Sequence, residues 1–171
     1  VGGESSKINY PGPSVNNTSE YITRDLNTGR FDFFCGGITI PSRKTESAKL
    51  FRKGSNGIEF FTSQVLYNGN KIKKMLKHYD DICEKNGAMP RRILLSFAPV
   101  SSKKNIDFLK WLGVEIPENT EHRLNQDPEN MSNVSLEIAS EILKDILQNN
   151  EEKEITVPVS YKHQTRQTTS E

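Results

Sequence analysis

The sequence has few cysteines, no long apolar run and no recognisable leader, and each shortage argues against a class of protein. Cys35 and Cys83 are its two cysteines, and their separation fits neither a metal-binding nor a redox motif. Two isolated cysteines in apolar surroundings are typical of reduced core residues, so we expect a cytoplasmic protein. No segment approaches the roughly 18–20 apolar residues of a membrane span, and no signal peptide is visible.

Net charge is also nearly absent. The chain has 23 Lys and Arg residues against 22 Asp and Glu residues, which leaves a formal charge of +1. No net field therefore favours nucleic acid or an anionic membrane, and we expect neither as a partner.

The pairs Gly2-Gly3 and Gly36-Gly37 are too short for a dinucleotide fingerprint or a P-loop. No metal site is expected.

The chain does contain an alternation of strands and helices, and its 171 residues suit one domain. Strands are predicted at Phe31–Ile38, Ile58–Val65, Arg92–Phe97 and Ile155–Val159. Helices are predicted at 14–26, 44–55, between Asn68-Gly69 and Asn86-Gly87, at 102–112 and at 131–148, with a polar helical turn at 118–126. This alternation predicts an α/β fold with parallel strands and right-handed crossovers, as in doubly wound sheets and (β/α)₈ barrels.

The start of the chain bears on whether the site encoded here is complete. The chain opens with Val1-Gly2-Gly3-Glu4, without an initiating Met, in what reads as the end of another strand. Barrel active sites collect residues from many strands, so we expect the site encoded here to be incomplete. Phe31–Ile38 is nearly all apolar, as in a strand buried on both faces, and Trp111 is expected to pack on the outside of the barrel. Residues 1–162 are predicted to form the domain, and 163–171 a polar, disordered tail.

Four groups of motifs, taken in order, resemble the methylenetetrahydrofolate reductase family. They are Val1–Ser6 with Tyr10–Ser14, Gly36–Arg43, Phe60–Tyr67, and Ile93–Ser101 with Leu112–Pro117. The resemblance implies a (β/α)₈ TIM barrel of one-carbon (folate) metabolism, of which this chain covers roughly strands 4/5 to 8. It also implies FAD as cofactor, and reduction of 5,10-methylenetetrahydrofolate to 5-methyltetrahydrofolate with NAD(P)H. The family's acid on the first strand precedes Val1, so the chain alone is expected to be inactive.

The resemblance assigns roles to two residues near the folate. Gln64 ends the predicted strand Ile58–Val65 and would hydrogen-bond the pterin ring, since an amide both donates and accepts. The alternative is that the Gln64 side chain only forms hydrogen bonds within its own loop. Gly3 and Glu4 would contact the flavin, and Glu4, as the catalytic acid implied for this chain, would also lie beside folate, where a carboxylate biases the flavin potential. Its alternative is an exposed acid in a loop.

Basic residues are the implied ligands of the FAD diphosphate. Arg52 and Lys53 match the family's basic pair near the FAD tail, and Arg43 stands where some members of the family have a histidine. Charge-assisted bonds from such cationic side chains suit phosphate. Glu46 is expected to contact the ribose. The alternative is that Arg52 and Lys53 only form part of a solvent-exposed helix face.

Five further positions complete the expected site. Gly36 would let the flat flavin ring approach the backbone at the end of a strand, unless it only forms a tight barrel corner. Ser14 would cap a helix that faces the flavin, or serve as a cap alone. Asn105 and Leu109 stand where the family has a glutamine and an aromatic residue against folate, and both departures weaken ordinary folate stacking. Tyr161, just after the predicted last strand, lies in the region that closes over substrate.

Three readings of function remain open at this point. The first is the flavin-dependent oxidoreductase, present as its C-terminal half. The second is a non-catalytic half-barrel that forms a homo-oligomer or completes a separately encoded N-terminal half, because an open sheet leaves edges and an apolar face uncovered. The third is another flavin or pterin barrel lineage, since a fold does not fix a function.

Overall fold

The computed structural model describes residues 11–13, 15–27 and 34–163. Its elements are α1 (Val15–Asn27), β1 (Gly36–Thr39), α2 (Glu46–Ser55), β2 (Phe60–Val65), α3 (Gly69–Lys85), β3 (Arg92–Phe97), α4 (Lys103–Trp111), α5 (Glu118–Asn125), α6 (Met131–Glu152) and β4 (Val159–His163). The predictions for Gly3, Glu4, Ser14 and residues 164–171 lie outside the described residues. His163, predicted as the first residue of the tail, is instead the last residue of β4.

The strands form one parallel sheet in the order β1-β2-β3-β4. Parallel pairing, predicted from the alternation of elements, is confirmed. The order follows the chain without a reversal, whereas a doubly wound sheet has a switch point where the order reverses. The described sheet is therefore compatible with part of a (β/α)₈ barrel.

Helix α3 shows how the sequence sets the elements. Its N-cap Asn68 accepts a hydrogen bond from the Asn70 amide at 3.0 Å. Its buried residues recur at helical spacing along one face, and they are Ile72, Met75, Leu76, Tyr79 and Cys83. The helix stops where Gly87 adopts a φ of +61°, a conformation that glycine adopts without strain.

The main core lies between α2, α3, α6 and the outer face of the sheet, which is the face that the helices cover. Phe61, Ile93 and Leu95 point to this side and are completely buried. Cys83 lies in the core, Cys35 packs against it, and both are free thiols, as predicted. A second cluster, which includes Leu109, Leu124 and Ile138, packs α4, α5 and α6 together.

The opposite face of the sheet, which we call the inner face, is not buried among the described residues. It carries Ile38, Phe60, Thr62, Leu94 and Ser96. Ile38 is exposed, and the other four side chains are only partly buried. The expectation of a first strand buried on both faces is wrong, because Phe34 is 75% exposed and Ile38 56% exposed.

Two predicted strand boundaries are also wrong. Gly36 and Gly37 begin β1 instead of ending it, because the ladder with β2 starts at the Gly36–Phe60 pair. The last strand is Val159–His163 and not Ile155–Val159. Ile155 and Val157 are buried in the core before the strand begins, where Asp80 accepts hydrogen bonds from the amide and the hydroxyl of Thr156 at 3.1 and 2.6 Å.

Tyr79 makes the fold sensitive to alkaline pH. Burial raises the pKa of this phenol to about 12, against an ordinary value of 10.0. Between these values the unfolded chain has lost the proton that the folded chain keeps, so stability falls as pH rises. We expect Tyr79 to lower the free energy of unfolding by about 2–3 kcal/mol across this window.

Urea unfolding of the wild type and of Tyr79→Phe at pH 9, 10 and 11 measures this contribution. The variant lacks the hydroxyl that accepts from the Arg91 amide at 2.9 Å, so it is less stable at pH 9. Its deficit should shrink as pH rises. A deficit that stays constant would contradict the prediction.

Candidate functional site

A cleft of about 490 Å³ opens at the carboxyl ends of the strands. Its lining comes from β1 to β3, the residues that follow them, and α4 with the segment after it: Ile38, Ile40, Thr62, Ser63, Gln64, Val65, Ser96, Phe97, Ala98, Leu109, Leu112 and Val114. The carboxyl end of a parallel sheet is where barrel enzymes place their active sites. This cleft is therefore the candidate functional site.

Gln64 follows Phe60 and Thr62 at alternate positions of β2, so it faces the cleft, next to an irregularity in the strand. The register between β2 and β3 shifts between Thr62 and Val65, and Ser63 Oγ accepts the hydrogen bond of the Ser96 amide at 3.0 Å. Irregularities of this kind occur next to active sites and redirect a side chain. Gln64 is half-buried, lines the cleft, and donates from Nε2 to Leu112 O at 3.5 Å.

A capping arrangement fixes the start of α4, which forms one wall of the cleft. Ser102 is the N-cap, and its hydroxyl accepts from the Asn105 amide at 3.4 Å. In return Asn105 Oδ1 accepts from the Ser101 amide at 3.3 Å and from the Ser102 hydroxyl at 3.0 Å. Leu109, one turn further on, lines the cleft, whereas Asn105 is not among the lining residues.

A buried hydroxyl pair links the segment after β3, which contributes Ala98 to the cleft lining, with α6. Tyr67 donates to Ala98 O at 2.6 Å, and its hydroxyl lies 3.4 Å from Ser135 Oγ. Ser135 Oγ in turn accepts from the Val100 amide at 3.0 Å. Burial raises the pKa of Tyr67, so the phenol stays protonated and remains a donor.

The described lining of the cleft contains no charged side chain. Its polar groups are the hydroxyls of Thr62, Ser63 and Ser96 and the amide of Gln64, set among apolar side chains. Such a surface suits an uncharged, flat ligand with hydrogen-bonding edges. Thr62 and Ser96 were not predicted as site residues, although both interrupt apolar strands on the inner face, which was the available signal.

Glu46 and Lys53, which the resemblance assigns to FAD, contact the carboxyl end of β1. Lys53 Nζ donates to Ile38 O at 2.9 Å and lies 3.8 Å from Glu46 Oε1, which also accepts from the Ile40 amide at 3.2 Å. The Glu46 side chain is only 1% exposed. Its Oε2 has no hydrogen-bond partner among the described residues. Burial lowers the pKa of Lys53, and Glu46 partly offsets this effect.

The remaining predicted residues lie in different surroundings. Arg43 and Arg52 are exposed, and neither forms an ion pair within the described part of the chain. The ring of Phe60 covers Gly36 so closely that a Cβ there would overlap it. Tyr161 lies within β4, where it pairs with the outward-facing Leu95, so it is not on the inner face and not in the cleft lining.

Trp111, expected to pack on the outside of the barrel, is instead 72% exposed. Its ring stacks on Phe108, with centroids 5.9 Å apart.

None of the described helices combines the length and apolar content needed to cross a membrane.

Comparison with known proteins identifies a matching family and solved structures of similar fold. The family described as methylenetetrahydrofolate reductase matches residues 34–156. A solved structure, described as an uncharacterized protein from Clostridium thermocellum that binds two copies of 5-methyl-5,6,7,8-tetrahydrofolic acid, is 25% identical with a TM-score of 0.71. The alignment covers 87% of this chain but 52% of that one, so this chain spans about half the length of the solved protein. No curated protein matches in sequence.

Proposed function

This chain belongs to the methylenetetrahydrofolate reductase family, and from that premise we propose that its cleft binds the pterin ring of a reduced folate. The observation that carries the proposal is the uncharged lining, with the Gln64 amide between apolar walls. A pterin presents donors and acceptors along one edge, and an amide can satisfy both kinds. The solved relative that binds 5-methyl-5,6,7,8-tetrahydrofolic acid supports the same ligand class.

The size of the cleft agrees with this assignment. Its 490 Å³ falls within the roughly 300–1,000 Å³ of small-molecule sites. Leu109, Val114 and Ile38 provide apolar lining that can contact the faces of a ring. Leu109 offers less contact area than an aromatic residue would, so we expect hydrogen bonds from Gln64 to contribute a large share of the affinity.

We propose FAD as the cofactor, and the described residues fit its diphosphate in part. Arg43 and Arg52 are exposed and unpaired within the described chain, and arginine is well suited to phosphate. Glu46 and Lys53 are engaged with β1, and Gly36 is covered by Phe60, so these three are weaker candidates. When bound, FAD would accept and donate the hydride.

The proposed reaction is the reduction of 5,10-methylenetetrahydrofolate to 5-methyltetrahydrofolate with NAD(P)H, in one-carbon metabolism in the cytoplasm. This chain would contribute one part of the catalytic barrel. Among the described residues its role is to bind and orient the pterin, because no titratable side chain lines the cleft. The proton for the reaction must then come from elsewhere, and Glu4 remains the proposed acidic neighbour of flavin and folate.

Substitution of Gln64 tests the folate assignment. Gln64→Leu keeps the approximate size of the side chain and removes its hydrogen bonds, so we expect affinity for 5-methyltetrahydrofolate to fall about 10- to 100-fold. Isothermal titration of the wild type and the variant measures the change. The control is Gln126→Leu, at an exposed glutamine that ends α5. Equal affinities for the two variants would contradict the proposal.

The uncovered inner face favours a second candidate, a non-catalytic half-barrel that associates with another chain. Ile38 is 56% exposed on that face, and apolar surface of this kind marks association sites. A flavin spectrum of the purified chain separates the two functions. If flavin or 5-methyltetrahydrofolate binds, even without turnover, the oxidoreductase is supported. If an oligomer forms that binds neither flavin nor folate, the second candidate is supported.

A further inference from the structure

A second concave surface lies between α3 and α6, on the outer side of the sheet. It encloses about 260 Å³ and is lined by Asn70, Lys73, Lys74, Lys77, His78, Asn149 and Lys153. The α3 residues recur at steps of three and four, so they form one polar stripe along the helix. None of these residues lines the cleft. We call this surface the α3–α6 groove.

The groove combines several cations with no lining carboxylate among the described residues. Acids lie at its margins: Asp145 pairs with Lys73 at 2.6 Å, Asp81 pairs with Lys77 at 2.6 Å, and Asp80 and Glu84 also raise the pKa of Lys77. An ammonium group has three donors, so both lysines keep donors beyond these pairs. Lys74 forms no ion pair among residues 34–163, and neither does Lys153. Lys74 and Lys153 therefore contribute positive charge that no ion pair of the described residues neutralises.

Asn149 adds an independent indication of a ligand. The residue lines the groove and is 9% exposed, and its amide Nδ2 has no hydrogen-bond partner among the described residues. A buried donor without an acceptor is costly, and most such groups in proteins find a partner. The unused donor and the unneutralised ammonium groups of Lys74 and Lys153 all call for an acceptor that carries negative charge.

We propose that the α3–α6 groove binds an anion of the phosphate or pyrophosphate class. Phosphate presents acceptor oxygens in several directions, which matches donors from two helices better than the two coplanar oxygens of a carboxylate. Lys74 and Lys153 supply the charge, and Asn149 supplies a directed donor. The site shares no lining residue with the cleft and does not depend on the proposed folate chemistry.

The test is a titration of the 171-residue chain with inorganic pyrophosphate, followed through backbone amide shifts in ¹⁵N NMR. We expect saturable shifts confined to residues 70–78 and 149–153. The double variant Lys74→Ala/Lys153→Ala should weaken binding at least tenfold. The matched control Lys85→Ala/Lys144→Ala changes the net charge equally, at exposed lysines outside the groove, and should bind as the wild type does.

Asn149→Asp provides a second test, because it nearly preserves the shape of the side chain while replacing its donor by a negatively charged acceptor. We expect at least tenfold weaker binding. If its thermal melt shows a folding defect, the surface double variant still decides. Equal affinities of the two double variants, shifts in the cleft residues instead of the groove, or shifts that do not saturate would each overturn the proposal.

Discussion

Replacing Lys53 by methionine is expected to lower the free energy of unfolding by about 3 kcal/mol, near the lower end of the 3–5 kcal/mol typical of a broken buried ion pair. Lys53 is 13% exposed and Glu46 1% exposed, so the variant leaves a buried carboxylate without its cation. It also removes the donor to Ile38 O at 2.9 Å. Urea unfolding near pH 7 measures the loss.

Two further variants identify the cause of this loss. Arg52→Met makes the same substitution at the preceding, exposed position and should change stability by less than about 0.5 kcal/mol. Adding Glu46→Gln to Lys53→Met removes the unpaired charge but keeps an acceptor for the Ile40 amide, so most of the lost stability should return. If Lys53→Met is as mild as Arg52→Met, Lys53 is a solvated cation, and its predicted role as a phosphate ligand regains support.

Replacing Phe61 by alanine is the second substitution with a large expected effect. Phe61 is completely buried at the centre of the main core, and buried Phe-to-Ala changes cost about 3–5 kcal/mol. Its ring also fills the space beside Gly37, where a Cβ would meet the ring atoms at 3.0 Å. The glycine cannot fill the cavity that the substitution leaves. We therefore expect a loss in the upper part of this range, measured by urea unfolding.

Phe108→Ala is the matched control for that measurement. The same side chain is removed at a position that is 56% exposed, so the expected change is below about 1 kcal/mol. A similar loss for the two variants would mean that the core does not distinguish Phe61 from a surface ring. Such a result would contradict the packing described for the outer face of the sheet.

The sequence predicted the order of the elements well, because the signals for it are local. The stripe from Ile72 to Cys83 and the stop at Asn86-Gly87 define α3 without reference to the rest of the fold. Strand β3 was predicted at its observed bounds, Arg92–Phe97. The error at Ile155–Val159 came from the same kind of reasoning. Buried residues at alternate positions resemble a strand, but Ile155 and Val157 enter the core before the ladder begins.

The candidate site was predicted less completely, because its geometry depends on contacts between distant residues. Gln64 and Leu109 were both predicted, and both line the cleft. The alternation from Thr62 places Gln64 on the inner face, but the register shift beside it and the bond from the Ser96 amide to Ser63 Oγ are not revealed by periodicity. Lys53 shows the same limit. A basic pair on a helix predicts two solvated cations, and only the fold places Ile38 O within reach of one of them.

The uncharged lining of the cleft has a consequence for the effect of ionic strength. Screening by salt weakens interactions between charges, but the described lining offers hydroxyls, an amide and apolar surface instead. The part of the ligand held there would contribute nearly the same affinity in dilute buffer and in concentrated salt. Any salt dependence of folate binding would then report contacts outside the described cleft.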